Sequence, residues 1–262
     1  MKQHIFLITA GRTGSMWLSS FLKENFDTNV EHEPLGIDDF GFKMPNIRTM
    51  RHFNNFGNNH VVKDFWTRKF ASIKSNRYAE TNHTLCKCGL IENIIEHKRE
   101  DFTTVIILKR NMVKQCLSYI QRNDFANVVL RWQFYLDPEY IIKLVDPKPF
   151  IANYGNVIGI PIWYCYEMLA RQKFYQKKYA DKVKFIITHL EDLNKSDKAE
   201  EFLNQISVKK KPLIPEMVNK KKEDQLPDLE EKIESIIKKI DMYFELDEIV
   251  DNLIKSEFSF NI

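Results

Sequence analysis

Glycine is scarce in this chain, with 8 among 262 residues, and cysteine is scarcer at 4. Few cysteines exclude a disulfide-built scaffold, and the lone C-x-C of Cys86 and Cys88 lacks the second pair that a structural zinc site needs, so no metal is expected. Charge of one sign is also missing. Lys and Arg number 39 against 36 Asp and Glu, a net of +3 too small by itself to argue for nucleic acid or an anionic membrane, so no nucleic-acid partner is expected and any anion site must be local. No apolar run approaches the roughly 18 to 20 residues of a membrane span, and IFLITA near the start is too short for a signal-peptide core. A cytoplasmic protein without stable membrane insertion is the expectation. No repeat and no Gly/Ser or Pro-rich linker divides the chain, so residues 1–262 read as one domain, and the 44% hydrophobic content is enough for a large core.

What is present is a series of short β-rich runs separated by helical stretches: HIFLITA, NVEHE at 29–33, HVVKDF at 60–65, AETNHTL at 79–85, TTVIILK at 103–109 and VKFIITH at 183–189. Runs such as VIIL, apolar on both faces and alternating with helices, predict an α/β fold of three layers with a mainly parallel central sheet, whose ligands sit at the carboxyl ends of the strands. The aromatic-rich region from about 125 to 180 reads as helices with a Pro-marked loop at 146–161, most of its rings serving the core. Residues 228–255 have helical period, with Ile233, Ile236, Ile237, Ile240 and Phe244 on one side.

Two of the eight glycines fall in IFLITAGRTGSMW, on either side of Arg12. Trp17, Leu18, Phe21, Leu22 and Phe26 recur at helical spacing, so a strand runs through GRTG into a helix starting near Gly14 or Ser15. Such a turn offers unpaired N–H groups and the positive end of the helix dipole to a phosphate or sulfate. Gly11 and Gly14 admit close approach of the backbone, and Arg12, Thr13 and Ser15 add charge and hydroxyls. The Walker A pattern does not fit, because the glycines are three apart and the basic residue precedes the second. A second strand, TTVIILK, also runs through an arginine into a helix, NMVKQCLSYIQR, with Asn111 placed to cap it.

These two blocks resemble sulfotransferases that use 3′-phosphoadenosine 5′-phosphosulfate (PAPS). AGRTGSMW is similar to the family's 5′-phosphosulfate loop, and VIILKRNMVKQCLS to its 3′-phosphate segment, with Arg110 and Ser118 at the family's spacing of eight residues. THLEDLN at 188–194 is a third echo that places Leu193 in the core. The resemblance implies a P-loop NTPase-like fold, PAPS as donor and PAP as product. It implies a nucleotide site formed by Gly11, Arg12, Thr13, Gly14, Ser15, Met16, Trp17, Arg110 and Ser118, with the basic run Asn219, Lys220, Lys221 and Lys222 as the loop that covers the nucleotide.

The resemblance also implies candidates for the chemistry. Arg12 stands where cytosolic sulfotransferases have a catalytic lysine and where carbohydrate and tyrosyl-protein members often have arginine. Lys63 in HVVKDF is a second candidate cation for the leaving group. For the general base that takes the acceptor's proton, His83 resembles the histidine of the Lys-Thr-His-Leu segment, and Glu33 resembles the glutamate of the Glu-Pro-Leu segment in carbohydrate sulfotransferases; Glu80 and His32 are further alternatives for the same role. Met112 and Lys114 depart from the family at the helix start and are expected to matter little. The expected acceptor is a small molecule or glycan bearing a hydroxyl or amine. A non-catalytic nucleotide-binding module and a P-loop small-molecule kinase stay open as alternatives, and composition leaves oligomeric state unset.

Overall fold

The computed structural model describes residues 2–216 and 227–261. The amino half of the fold runs through β1 (Gln3–Ile8), α1 (Ser15–Asn25), β2 (Asn29–Glu31), α2 (Ile47–Phe56), α3 (His60–Ser72), β3 (Arg77–Glu80), α4 (Leu90–Glu96) and β4 (Thr103–Lys109). It continues through α5 (Met112–Gln121), α6 (Val128–Phe134), α7 (Lys148–Lys178), β5 (Lys184–His189), α8 (Ser196–Gln205), α9 (Pro227–Asp241) and α10 (Leu246–Lys255). Five strands form one all-parallel sheet in the order β2-β3-β1-β4-β5.

Alternation along the strands divides the core. Ile5 and Leu7 of β1 and Ile106 and Leu108 of β4 face α1 and α8, while Phe6, Ile8, Val105 and Ile107 face the layer containing α3, α4, α5 and α7. Both sheet faces are therefore covered, as parallel strands require, and the predicted three-layer α/β/α fold is the one observed.

Strand order places the site. β1 lies between β3 and β4, so the turns that follow these three strands, GRTG, TNHT and RN, meet at one edge of the sheet. That edge is the carboxyl end of the strands, beside the point where the order reverses.

Two expectations are corrected. HVVKDF is not a strand: it opens α3, where Asn59 accepts hydrogen bonds from the N–H groups of Val61 and Val62 and where Val62, Phe65, Trp66, Lys69 and Phe70 are buried at helical spacing. The β-branched Val61-Val62 pair outweighed a helical period that shows only over the longer window. Residues 146–161 are not a loop either. α7 begins at Lys148, just after Pro147, and is interrupted only at Gly155, whose φ of 69° and ψ of 173° turn the chain. The amino-terminal segment then folds back so tightly that a Cβ on Gly159 would lie 2.4 Å from the Phe150 carbonyl oxygen.

The helical reading of the carboxyl-terminal region holds as α9 and α10, with Ile233, Ile237 and Ile240 buried. Among the described residues no helix is long and apolar enough to cross a membrane.

Candidate active site

Helix α1 starts at Ser15 directly after GRTG, so its first turn leaves backbone N–H groups without intrahelical partners. Gly11, Arg12 and Gly14 all have positive φ, at 87°, 54° and 84°. In this left-handed conformation the loop bends around its own N–H groups, which is the geometry of an anion-binding concavity. Both glycines are also required by what lies against them. A Cβ on Gly14 would lie 2.6 Å from Leu190, and one on Gly11 would lie 3.1 Å from Nδ1 of His83.

The second arginine turn closes onto the first. Arg12 donates from Nε to Ser118 Oγ at 2.9 Å, and Arg110 donates from Nη1 to the Arg12 carbonyl at 2.8 Å. Asn111 caps α5 by accepting from the Lys114 N–H at 3.1 Å, so the helix begins at Met112 whatever residue follows the cap. Two residues that the sequence did not single out grip the loop from α5: Gln115 donates to the Gly11 carbonyl at 2.8 Å, and the Tyr119 hydroxyl lies 2.7 Å from the same oxygen.

The other candidates separate. Ser15 is buried and Met16 exposed at the start of α1. The Thr13 hydroxyl is turned inward onto Thr9, whose own hydroxyl donates to the Leu108 carbonyl at 3.1 Å. Thr13 therefore serves the loop through its backbone. The Trp17 ring is in the core, stacked on Phe21, and its N–H reaches the Pro215 carbonyl at 3.2 Å. Lys210 on the Glu24 carbonyl, Leu213 paired with Asn25, and Pro215 on Trp17 lay the stem of the basic stretch along α1 towards the cradle. Asn219, Lys220, Lys221 and Lys222 lie outside the described residues. Leu193 is in the core as expected, and Leu190 of the same segment is the side chain that crowds Gly14.

Lys63 is not brought to the cradle. On α3 it pairs with Glu96 at 3.1 Å, and both side chains are more than 40% exposed, at 42% and 49%. The neighbouring Asp64 pairs with Arg68.

The two base candidates are brought together. Glu33 has its Oε1 3.7 Å from Nε2 of His83 and its Oε2 4.0 Å from Nε2 of His32, and it faces the cradle side of β3. Burial raises its carboxyl above the ordinary range, against the opposing pull of His32, the His83 N–H, Lys87 and Arg12. His83 is buried, with Gly11 against its ring and Tyr135 stacked 5.8 Å away. Burial, then Lys87, His32 and Arg12, hold its imidazole well below its ordinary value. Glu80 is consumed by Lys69, Tyr78 and Asn82 in the core, and His32 rests its Nδ1 on Thr81.

Two cavities open near this region, of which the smaller touches the loop at Thr13. One of about 160 Å³ is lined by Thr13, Arg110, Lys109, Met112, Gln115 and His189. A larger one of about 350 Å³ lies beside Tyr119 and Phe125, with Asn123, Arg131, Asp137 and Asn156 on its walls. Among the described residues no group of three His, Cys, Asp or Glu side chains is placed to hold a metal ion, and all four cysteines are free and buried.

This chain is similar in the path of its backbone to the sulfotransferase from Alicyclobacillus acidocaldarius, with a TM-score of 0.48 and 14% identity over 97% of this chain and 96% of that one. No protein-family model matches the chain, and no curated protein matches it.

Proposed function

We propose that this protein is a sulfotransferase that moves a sulfuryl group from PAPS to a hydroxyl or amine acceptor, a carbohydrate before other classes. The observation that carries the reading is the mutual engagement of the two arginine turns, with Arg12 on Ser118 and Arg110 on the Arg12 carbonyl. A nucleotide with phosphates at both ends of its ribose needs two anion sites held at a fixed separation, and these contacts fix it.

The residues present fit such a group. The loop is a cradle that a Cβ at Gly11 or Gly14 would fill, and its donors are backbone N–H groups and guanidinium forks suited to phosphate oxygens. PAPS, when bound, supplies the sulfuryl group on a good leaving phosphate. Gly11 to Ser15 hold the 5′ end through the start of α1. Arg12 places positive charge there, oriented by Ser118, and preorganised charge of this kind is the larger part of what group transfer of this class requires. Arg110 takes the 3′-phosphate. Glu33 or His83 stands within the same turn cluster to accept the acceptor's proton. The Glu33-Pro34-Leu35 segment and Arg12 favour a carbohydrate acceptor through their resemblance to the carbohydrate branch.

Thermal unfolding of the protein with PAP, with PAPS and with ATP plus Mg²⁺ tests the reading, because a ligand of the native state raises its apparent stability. Stabilisation by PAP and PAPS is expected. Stabilisation by ATP with Mg²⁺ and none by PAP overturns it.

A further inference from the structure

Lys87 was silent in the sequence, yet its ammonium lies against His83, one of the two candidate bases. It lies in the turn after β3, fully buried, with Nζ 2.6 Å from Nδ1 of His83 and 2.9 Å from the Tyr164 hydroxyl. The direction of each hydrogen bond follows from the end of this chain. The Ala10 carbonyl only accepts, so Tyr164 donates its proton to that oxygen at 2.5 Å and its own oxygen must accept from Lys87. An ammonium carries three donors and no acceptor, so Lys87 is also the donor to Nδ1 of His83. Nδ1 of His83 therefore offers its lone pair to the ammonium, and in a neutral imidazole the proton then resides on Nε2.

Nε2 is the nitrogen that faces Glu33, 3.7 Å from Oε1. A protonated Nε2 has no lone pair with which to take a proton from an acceptor on that side. Glu33 does: its Oε1 accepts from the His83 backbone N–H at 3.4 Å, and its Oε2 lies 4.0 Å from Nε2 of His32. We propose that Lys87 is a positioning residue that holds His83 in the Nε2–H tautomer and so assigns the acceptor's proton to Glu33. This rests on the sulfotransferase reading above. In the step it serves, the acceptor O–H or N–H bond breaks and its proton passes to a Glu33 oxygen. The freed electron pair forms the new bond to sulfur, and the bond from sulfur to the bridging phosphate oxygen breaks, its pair remaining on the phosphate.

The surroundings agree with this division. Around Glu33, the charges of His32, Lys87 and Arg12 and the hydrogen bond from the His83 backbone N–H favour a carboxylate against its burial. Around Lys87 lie the Tyr135 and Tyr164 rings at 5.6 and 5.5 Å, with Cys86, Cys88 and Arg171 further out. Burial keeps His83 neutral, as a fixed tautomer requires.

The tautomer is directly observable. In ¹⁵N-labelled full-length protein at pH 7, long-range ¹H–¹⁵N spectra distinguish a protonated from an unprotonated ring nitrogen, and His83→Gln identifies the His83 signals. Protonation on Nε2 alone is expected in the wild type, giving way to a mixture of tautomers in Lys87→Met. The wild-type spectrum decides the matter even if Lys87→Met does not fold. In turnover, Lys87→Met is expected to lose about 10-fold in kcat with PAP affinity within about 2-fold, and the acid limb of the kcat/KM profile is expected to vanish in Glu33→Gln and persist in His83→Gln. Protonation on Nδ1 in an active enzyme, or an acid limb that disappears in His83→Gln instead, overturns the proposal alone. An Nε2–H tautomer in a protein that transfers no sulfuryl group from PAPS overturns the sulfotransferase reading and the base assignment with it, and leaves the Lys87 to His83 geometry standing.

Discussion

Arg110 and Arg12 are joined at 2.8 Å through a guanidinium-to-carbonyl hydrogen bond that spans 98 residues of sequence. The bond uses one of Arg110's five N–H donors and leaves its fork for a ligand. It also couples the second turn to the backbone of the first, so that moving one moves the other.

Removing that fork should cost affinity. Arg110→Ala is expected to weaken PAP binding by about 10- to 100-fold, the range for a charged hydrogen bond or two, measured by calorimetry. Its effect on binding of 5′-AMP, which has no 3′-phosphate, should be much smaller.

A methyl group at Gly14 meets two obstacles at once. The left-handed φ of 84° costs an L-residue about 1–2 kcal/mol, and Leu190 stands 2.6 Å from the new Cβ. Gly14→Ala should therefore lower the unfolding free energy by about 1–2 kcal/mol or more in a urea titration, and reduce PAP affinity with it. An unchanged affinity would show that the loop does not bind through its backbone.

Glu33→Gln should lower turnover by about 10² or more, as general-base catalysis is commonly worth that much, with PAP affinity nearly intact. A base must be deprotonated to act. Because burial raises the Glu33 carboxyl, the acid limb of kcat/KM should fall at a higher pH than an ordinary glutamate gives, with activity rising as pH increases through it. A stopped assay across pH 4 to 8 on wild type and variant checks this.

Much of this arrangement was legible in the chain itself. GRTG and KRN each interrupt a pattern that changes from strand to helix, and the eight-residue step from Arg110 to Ser118 spans two helical turns, so their meeting at the sheet edge follows from local rules. What escaped is long-range. Lys87 reaches His83 from the same turn, but its burial and its tautomer-setting role depend on Tyr164 of α7 and on the carbonyl of Ala10. Gln115 and Tyr119 show only as helix residues until α5 is laid over the Gly11 carbonyl. Trp17 matched a motif position yet belongs to the core, because the hydrophobic stripe of α1 claims it.

Lys63 marks the opposite error. A strand reading placed it near the cradle, whereas on α3 it makes an exposed pair with Glu96. Such pairs contribute about 0–1 kcal/mol, so Lys63→Ala should leave PAP affinity unchanged in calorimetry and shift the urea midpoint little.

Lys87 should also mark the stability curve. Burial pushes its ammonium down to about 8 from 10.5. Between these values the unfolded chain holds a proton that the folded chain has released, so the lysine's share of the folding free energy grows more favourable as pH rises from about 8 to 10.5 and bears its full penalty below 8. Lys87→Met has no such slope. The unfolding free energy of wild type minus that of Lys87→Met, from urea titrations at pH 7, 8, 9 and 10, should therefore rise across the series; a flat difference would contradict a depressed lysine.

The most direct test of a two-phosphate cradle is a calorimetric titration of the wild-type protein with PAP and, separately, with 5′-AMP. One-to-one binding of PAP, with 5′-AMP at least about 10-fold weaker because Arg110 and its turn have lost their partner, is the expected result. Equal affinities for the two, or no heat with PAP, contradict it.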